Sequence, residues 1–260
     1  MDAKAIHLKS VQMATYKMRG VKRLVTREKS GPTKKQIKES PSYELLRYRN
    51  MELGGRSTMG KWVRAMLYPL KHMANYNISG FINARLIPAQ ECDTENEWGK
   101  RSILLSRMPW LLQGFNMNEG ILFDTIVRNP VTYTLNRKSG EALLEIPALL
   151  PGINFQVPDK YAVYSLVATL GVIPDFHFNG FGYSENRDYA LRMIDIYRGD
   201  WYPCLTGSAA TTVNLKLPES PPDNAFSLVT GIGIQFGTIL PGNKIEIIKR
   251  TGAAKILAMG

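Results

Sequence analysis

The run Tyr161–Pro174 (YAVYSLVATLGVIP) most restricts what this chain can fold into. It carries no charge, stops at Asp175 and holds 14 residues, short of the roughly 18 that a helix needs to cross a membrane. The β-branched and aromatic residues of Tyr161–Val172 predict a strand. In a strand, Tyr161, Val163, Ser165 and Val167 share one face, and Ala162, Tyr164, Leu166 and Ala168 share the other. Both sets are largely apolar. Such a strand belongs at the centre of a sheet, covered on both sides.

Other segments of the same kind surround it. Val131–Leu135 and Ala142–Ile146 flank a turn at Asn136–Gly140 and predict a hairpin. Asp188–Tyr197, Thr211–Leu217, Phe226–Phe236, Lys244–Arg250 and Ala254–Met259 add five strands. Trp110–Met117 and Leu122–Val127 also read as extended. Gly, Pro and Asn turns separate these pieces, and no helical period interrupts them. The expectation for residues 101–260 is an antiparallel β-sandwich, immunoglobulin-like or jelly-roll-like.

Residues 1–100 read differently, which makes the whole α+β. A small hairpin is expected over residues 5–27, and Ser30-Gly31-Pro32-Thr33 is a break. Ser40-Pro41 opens a helix that Gly54-Gly55 should stop. Ser57 or Thr58 should cap the next, with Trp62, Val63, Met66, Leu67 and Leu70 on one face and Pro69 kinking or dividing it. Asn77 caps a third, whose stripe is Ile78, Phe81, Ile82, Leu86 and Ile87. These apolar faces must fold back on the sandwich or bury against another copy. For self-association the expected residues are Trp62, Met66, Tyr68 and Met73.

Charge sharpens the division. The chain has 33 Lys and Arg against 22 acids, a net +11. Residues 1–75 hold 17 of those cations and only five acids, which leaves +12 there and −1 in the rest. Such a segment fits a nucleic acid, an anionic membrane, an acidic protein face or simply a solvated surface. The expected polyanion contacts are Lys17, Arg19, Lys22, Arg23, Arg27, Lys29, Lys34, Lys35, Lys38, Arg47 and Arg49, with Tyr16, Tyr43 and Tyr48 interleaved. Cations neutralise phosphates and aromatic rings stack on bases. The same arm would also suit docking on a neighbouring subunit.

Chemistry is sparse by comparison. Two cysteines, Cys92 and Cys204, make neither a disulfide framework nor a zinc site, and a cytoplasmic protein without a signal peptide is expected. Asp175-Phe176-His177 is the one catalytic-looking fragment, and a hydrogen-bonded loop histidine explains it as well. Gly231-Ile232-Gly233-Ile234-Gln235-Phe236-Gly237 has the glycines of a phosphate loop in the wrong spacing. Its alternation reads as a strand with a bulge or a tight approach of neighbouring strands. No catalytic residue, metal ligand, cofactor or small-molecule substrate is assigned.

Arg27-Glu28-Lys29-Ser30-Gly31, Ser40-Pro41, Arg49-Asn50-Met51-Glu52-Leu53 and Ser57…Gly60-Lys61…Arg64-Ala65 resemble a family of Bacteroidota proteins. Its members open with a hairpin, a basic stretch and a helix of the pattern S-x-x-G-K-x-x-R-x-A. Leu111–Asn118 is similar to their LQGFxFN segment. Leu53 stands where phenylalanine is usual, and most glycines of the opening hairpin are replaced. The resemblance implies a bacterial source and a helical-then-β order, with no activity or site residue to carry over. The function expected from the whole sequence is a non-enzymatic structural or assembly protein that self-associates. The alternative is a sequence-tolerant nucleic-acid-binding protein, coat-like or ribosome-associated.

Overall fold

The computed structural model describes residues 13–18, 23–28, 31–185, 189 and 193–260. The chain forms two compact units, Met1–Arg47 and Tyr48–Gly260.

In the first unit β1 (Met13–Lys17) and β2 (Leu24–Glu28) pair antiparallel, with Met13 opposite Glu28 and Lys17 opposite Leu24. That is the expected hairpin. Helix α1 (Lys34–Glu39) lies between the expected break, which ends at Thr33, and the expected helix start at Ser40-Pro41, in a stretch for which no element was expected. Its signal is a capping box: the Thr33 hydroxyl accepts from the Gln36 N–H at 3.2 Å, and the Gln36 side chain accepts from the Thr33 N–H at 2.8 Å. The Arg47 guanidinium donates to the carbonyls of Ile37 and Ser40 at 2.8 and 2.9 Å, closing the end of α1. No described residue of β1, β2 or α1 is buried.

Helix α2 (Glu44–Met66) runs straight through Gly54-Gly55, which corrects the expected stop. Gly55 is there for space. A Cβ on it would lie 2.8 Å from the Tyr183 ring, and one on Gly60 would lie 2.5 Å from the Asn83 side chain. Thr58 therefore sits inside the helix, and its hydroxyl donates to the Gly54 carbonyl at 3.0 Å. The helix ends at Met66, and Pro69 falls at the start of a 3-10 turn over Tyr68–Met73, as a divided helix requires. Asn77 caps α3 (Ile78–Arg85), accepting the Ser79 N–H at 3.1 Å, and α4 (Ile87–Glu91) follows.

The segments Trp110–Met117 and Leu122–Val127 are not strands. The first begins in a 3-10 turn, Pro109–Leu112, and the second contains the short helix α5 (Phe123–Ile126). The later expectations hold better. The hairpin is β3 (Thr132–Asn136) and β4 (Glu141–Ile146), and the long apolar run is β5 (Val163–Pro174). Two-residue strands β6 (His177–Phe178) and β7 (Tyr183–Ser184) pair with each other. Then come β8 (Ile194–Arg198), β9 (Tyr202–Pro203), β10 (Thr211–Lys216), β11 (Phe226–Leu240), β12 (Lys244–Ile247) and β13 (Ala253–Met259).

These strands make a six-stranded antiparallel sheet, β12-β11-β5-β8, with β13 also on β11 and β9 on β5. A smaller sheet has the order β10-β4-β3. All twelve residues of β5 are buried, so it is the central, doubly covered strand that its composition predicts. One cover is helical. In the β5–β11 register Thr169 faces Gly231 and Val167 faces Gly233, which puts Gly171, Gly231 and Gly233 on one face. A Cβ there would strike Met66, Leu70 and Met73 respectively, within 2.7 Å. Gly171 of β5 thus admits the end of α2 onto the sheet, and Gly231 and Gly233 of β11 admit the 3-10 turn. A register shift against β13 occurs at Thr230/Gly231, and neighbouring strands also approach closely, as expected: Thr169 Oγ1 would lie 2.8 Å from a Cβ on Gly231, Ala254 Cβ 3.0 Å from one on Gly233 and Ile245 Cγ2 2.7 Å from one on Gly237. The small sheet sends Ala142, Leu144, Ile146, Val213 and Leu215 into the same core.

The fold is α+β with open antiparallel sheets. The expected division at residue 100 does not describe it, because Met59 through Ala89 share the core of the sheets. Trp62, Met66 and Met73 are buried in this chain's own core, so they are taken from the expected self-association set. Only Tyr68, 69% exposed, remains free for a partner.

Candidate anion-binding surfaces

Two basic surfaces stand out, one in each unit. In the first, Lys17, Arg23, Arg27, Lys34, Lys35 and Lys38 are exposed and join no ion pair among the described residues. Arg27 stacks over Tyr16 at 5.4 Å, which places a cation and a ring side by side on the hairpin. Arg47 is different, since its guanidinium is committed to two carbonyls. Arg49 belongs to the second unit and lies over Trp98 at 5.9 Å. Arg19, Lys22 and Lys29 lie outside the described residues.

The second surface was not foreseen. The 3-10 turn repeats every three residues, so Leu70 and Met73 point into the core while Tyr68 and Lys71 eclipse each other outside, the ammonium 5.9 Å from the ring. On α2, Lys61 and Arg64 lie on the helix face away from buried Val63 and Met66, and Tyr68 continues that side at the start of the 3-10 turn. Lys249 and Arg250 arrive from the β12–β13 connection. Arg250 has φ +66°, and its N–H donates to the His72 carbonyl at 2.9 Å. That backbone region is uncommon for a side chain other than glycine or asparagine. Its hydrogen bond clips the connection onto the 3-10 turn.

Between these elements runs a groove of about 590 Å³ that presents Lys61, Arg64, Lys71, Lys249 and Arg250. A second groove of about 580 Å³ shares Tyr68, Lys71 and His72 and adds Arg198 and Trp201. No acidic side chain among the described residues lines either one. His72 donates from Nε2 to Gln235 Oε1 at 2.8 Å. Burial first, then the positive field of Arg198 and Lys249, hold its imidazole below the ordinary value. Near pH 7 the ridge is therefore a neutral histidine between cations.

Glu52, Asp93 and Glu97 are engaged away from these grooves. Glu52 is buried and accepts both Arg101 nitrogens at 2.6 and 2.8 Å, along with the Gly99 N–H at 3.0 Å. Burial raises its pKa, but the Arg101 and Gly99 hydrogen bonds and the charges of Arg101 and Arg56 outweigh that and lower it. Asp93 organises the following turn. It accepts the N–H groups of Glu95, Asn96 and Ser102 and the Asn96 amide, which together overcome burial and bring its carboxyl to about 2. Glu97 pairs with Lys100 at 2.9 Å. The acidic stretch builds its own turn, with Glu52 tying that turn to α2.

The Asp175 fragment does not assemble a nucleophile. Asp175 is buried, and it accepts the Ser106 N–H at 2.9 Å and the Ser106 hydroxyl. Burial raises its pKa, against the Ser106 hydrogen bonds and the His177 charge. A nucleophilic serine gives its proton to a base that is itself oriented. Here the carboxylate holds the hydroxyl directly, and His177 Nε2 is buried without a hydrogen-bond partner among the described residues. Burial pushes the Cys204 thiol up to about 11, which leaves it inert. No cluster of metal-ligating side chains occurs among the described residues, and no helix of theirs is long and apolar enough to cross a membrane. No family model, curated protein or solved structure matches this chain.

Proposed function

We propose that this chain is a non-enzymatic, sequence-tolerant nucleic-acid-binding protein whose first unit supplies the phosphate contacts. The observation that supports this most is the set of exposed cations on β1, β2 and α1 that join no ion pair among the described residues, with the Arg27–Tyr16 stack among them. The described elements of that unit, a two-stranded hairpin and a short helix, present cations rather than a shape that reads base edges. Lysines on a short helix and a hairpin meet phosphates by charge alone. Fluorescence anisotropy of labelled duplex DNA against the full chain tests it. The logarithm of affinity should fall with the logarithm of salt, with a slope of about 0.9 per phosphate neutralised. Substituting Lys34, Lys35 and Lys38 together by alanine should cut the slope by about 2 to 3. Absence of binding at low salt would overturn the reading.

A second reading, self-association into an assembly, draws on the apolar exposure of the same unit. Met13, Leu24 and Leu45 are each more than half exposed, and such side chains gain by burial against another copy. Light scattering over a range of concentration decides it. A constant monomer mass would exclude this reading and leave the first untouched.

A further inference from the structure

We infer that the groove beside the 3-10 turn is a binding site for a small phosphorylated ligand with a flat apolar body, of the nucleoside-phosphate class. The groove belongs wholly to the second unit, and this inference does not rest on the nucleic-acid reading. Its volume, about 590 Å³, is that of a pocket for a single small molecule.

The charge argument comes first. Lys61, Arg64, Lys71, Lys249 and Arg250 converge from three separate chain segments, and no carboxylate among the lining residues answers them. Five like charges held together repel one another, so a ligand carrying several negative charges is favoured over a single carboxylate. Two of the five are arginines, whose planar forks match phosphate oxygens in pairs.

The remaining lining is apolar and aromatic. Leu67, Ile78 and Met117 form a buried floor beneath the groove, and half-buried Ala65, Ala74 and Tyr76 with exposed Tyr68 give it its accessible apolar and aromatic lining. Tyr76 is fixed in place: its hydroxyl donates to the Asn116 carbonyl at 2.8 Å, and its ring meets Phe81 edge-on at 5.1 Å. A base or similar ring gains by lying on such a surface while its phosphates reach the cations. The parts are rigid as well. The Arg250–His72 backbone bond holds the basic loop, and Asn118 holds the next turn through the Gly252 carbonyl at 2.8 Å.

The test is titration calorimetry of the full chain with ATP, tripolyphosphate and adenosine at physiological salt. The expected order is ATP tightest, tripolyphosphate weaker by tenfold or more, and adenosine without measurable binding. Arg250→Gly removes the cation while keeping a residue that accepts φ +66°. Lys61→Ala removes another on an exposed helix position where alanine favours the helix. Each should weaken ATP binding about tenfold, and thermal melting of both variants confirms the fold. No saturable ATP binding would overturn the inference. So would tripolyphosphate equal to ATP, or ATP affinity unchanged in both variants. Nucleic-acid binding through the first unit would survive any of these outcomes.

Discussion

The two basic surfaces carry similar charge on very different supports. Around the hairpin and α1 the cations sit on elements with no buried residue, so their positions are loosely fixed. Around the 3-10 turn they sit on elements whose other side chains, Val63, Met66, Leu70 and Met73, are within about 1% of complete burial. Burial on one side of an element fixes direction on the other. The first surface can therefore follow any phosphate backbone, whereas the second offers charges at set places and so can select among ligands.

If that contrast is right, substitutions behind the second surface should cost far more than substitutions in the first. Glu52→Ala leaves Arg101 without its buried partner and should destabilise the fold by about 3–5 kcal/mol in chemical denaturation. A loss under about 1 kcal/mol would mean that α2 does not depend on that tie. Gly171→Ala forces a Cβ to 2.3 Å from Met66 Sδ and 2.9 Å from Met66 Cβ, too close for the tip of the side chain alone to yield. Overpacking of this kind should cost about 1–3 kcal/mol, read as a lower melting temperature. An unchanged melting temperature would show that the helical layer slides freely over the sheet.

Acid should act through Asp93. Its folded carboxyl lies at about 2 against an ordinary 3.8, so its contribution is complete above the ordinary value and is lost as pH falls from about 4 towards 2. Asp93→Asn should be less stable at pH 7 and should lose less on going to pH 3. Asp175 works in the opposite direction, since burial raises its pKa and protonation relieves it. The smallest effect belongs to the first surface. Lys34→Ala should change stability by no more than about 0.5 kcal/mol, because the side chain is exposed and joins no ion pair among the described residues.

Much of this was legible in the sequence, and the failures share a cause. The double burial of β5, the β3–β4 hairpin, the Asn77 cap and the Pro69 break follow from local pattern and came through. Local propensity makes the Gly54-Gly55 pair a helix stop, whereas in the fold Gly55 lets the Tyr183 ring approach α2. The glycine run of β11 reads as a bulge or a close strand approach, and both occur; the 3-10 turn that also lies against Gly231 and Gly233 is distant in sequence and leaves no local signal. The same holds for function. The basic first third was plain from charge alone. Lys249-Arg250 and Arg198 lie in a region of net −1, and only folding brings them to Lys61, Arg64 and Lys71. Adjacent Lys249-Arg250 ahead of Thr251-Gly252 was the one local hint.

The most direct test titrates two variants against the same two ligands. One variant replaces Lys34, Lys35 and Lys38 with alanine, and the other combines Lys61→Ala with Arg250→Gly. With duplex DNA and ATP as ligands, the account predicts a crossed result. The first variant should lose affinity and salt slope for DNA while binding ATP as the parent does. The second should lose ATP while keeping most of its DNA binding. Equal loss of both ligands in both variants would contradict the account, because the two surfaces would then be acting as one diffuse field of charge.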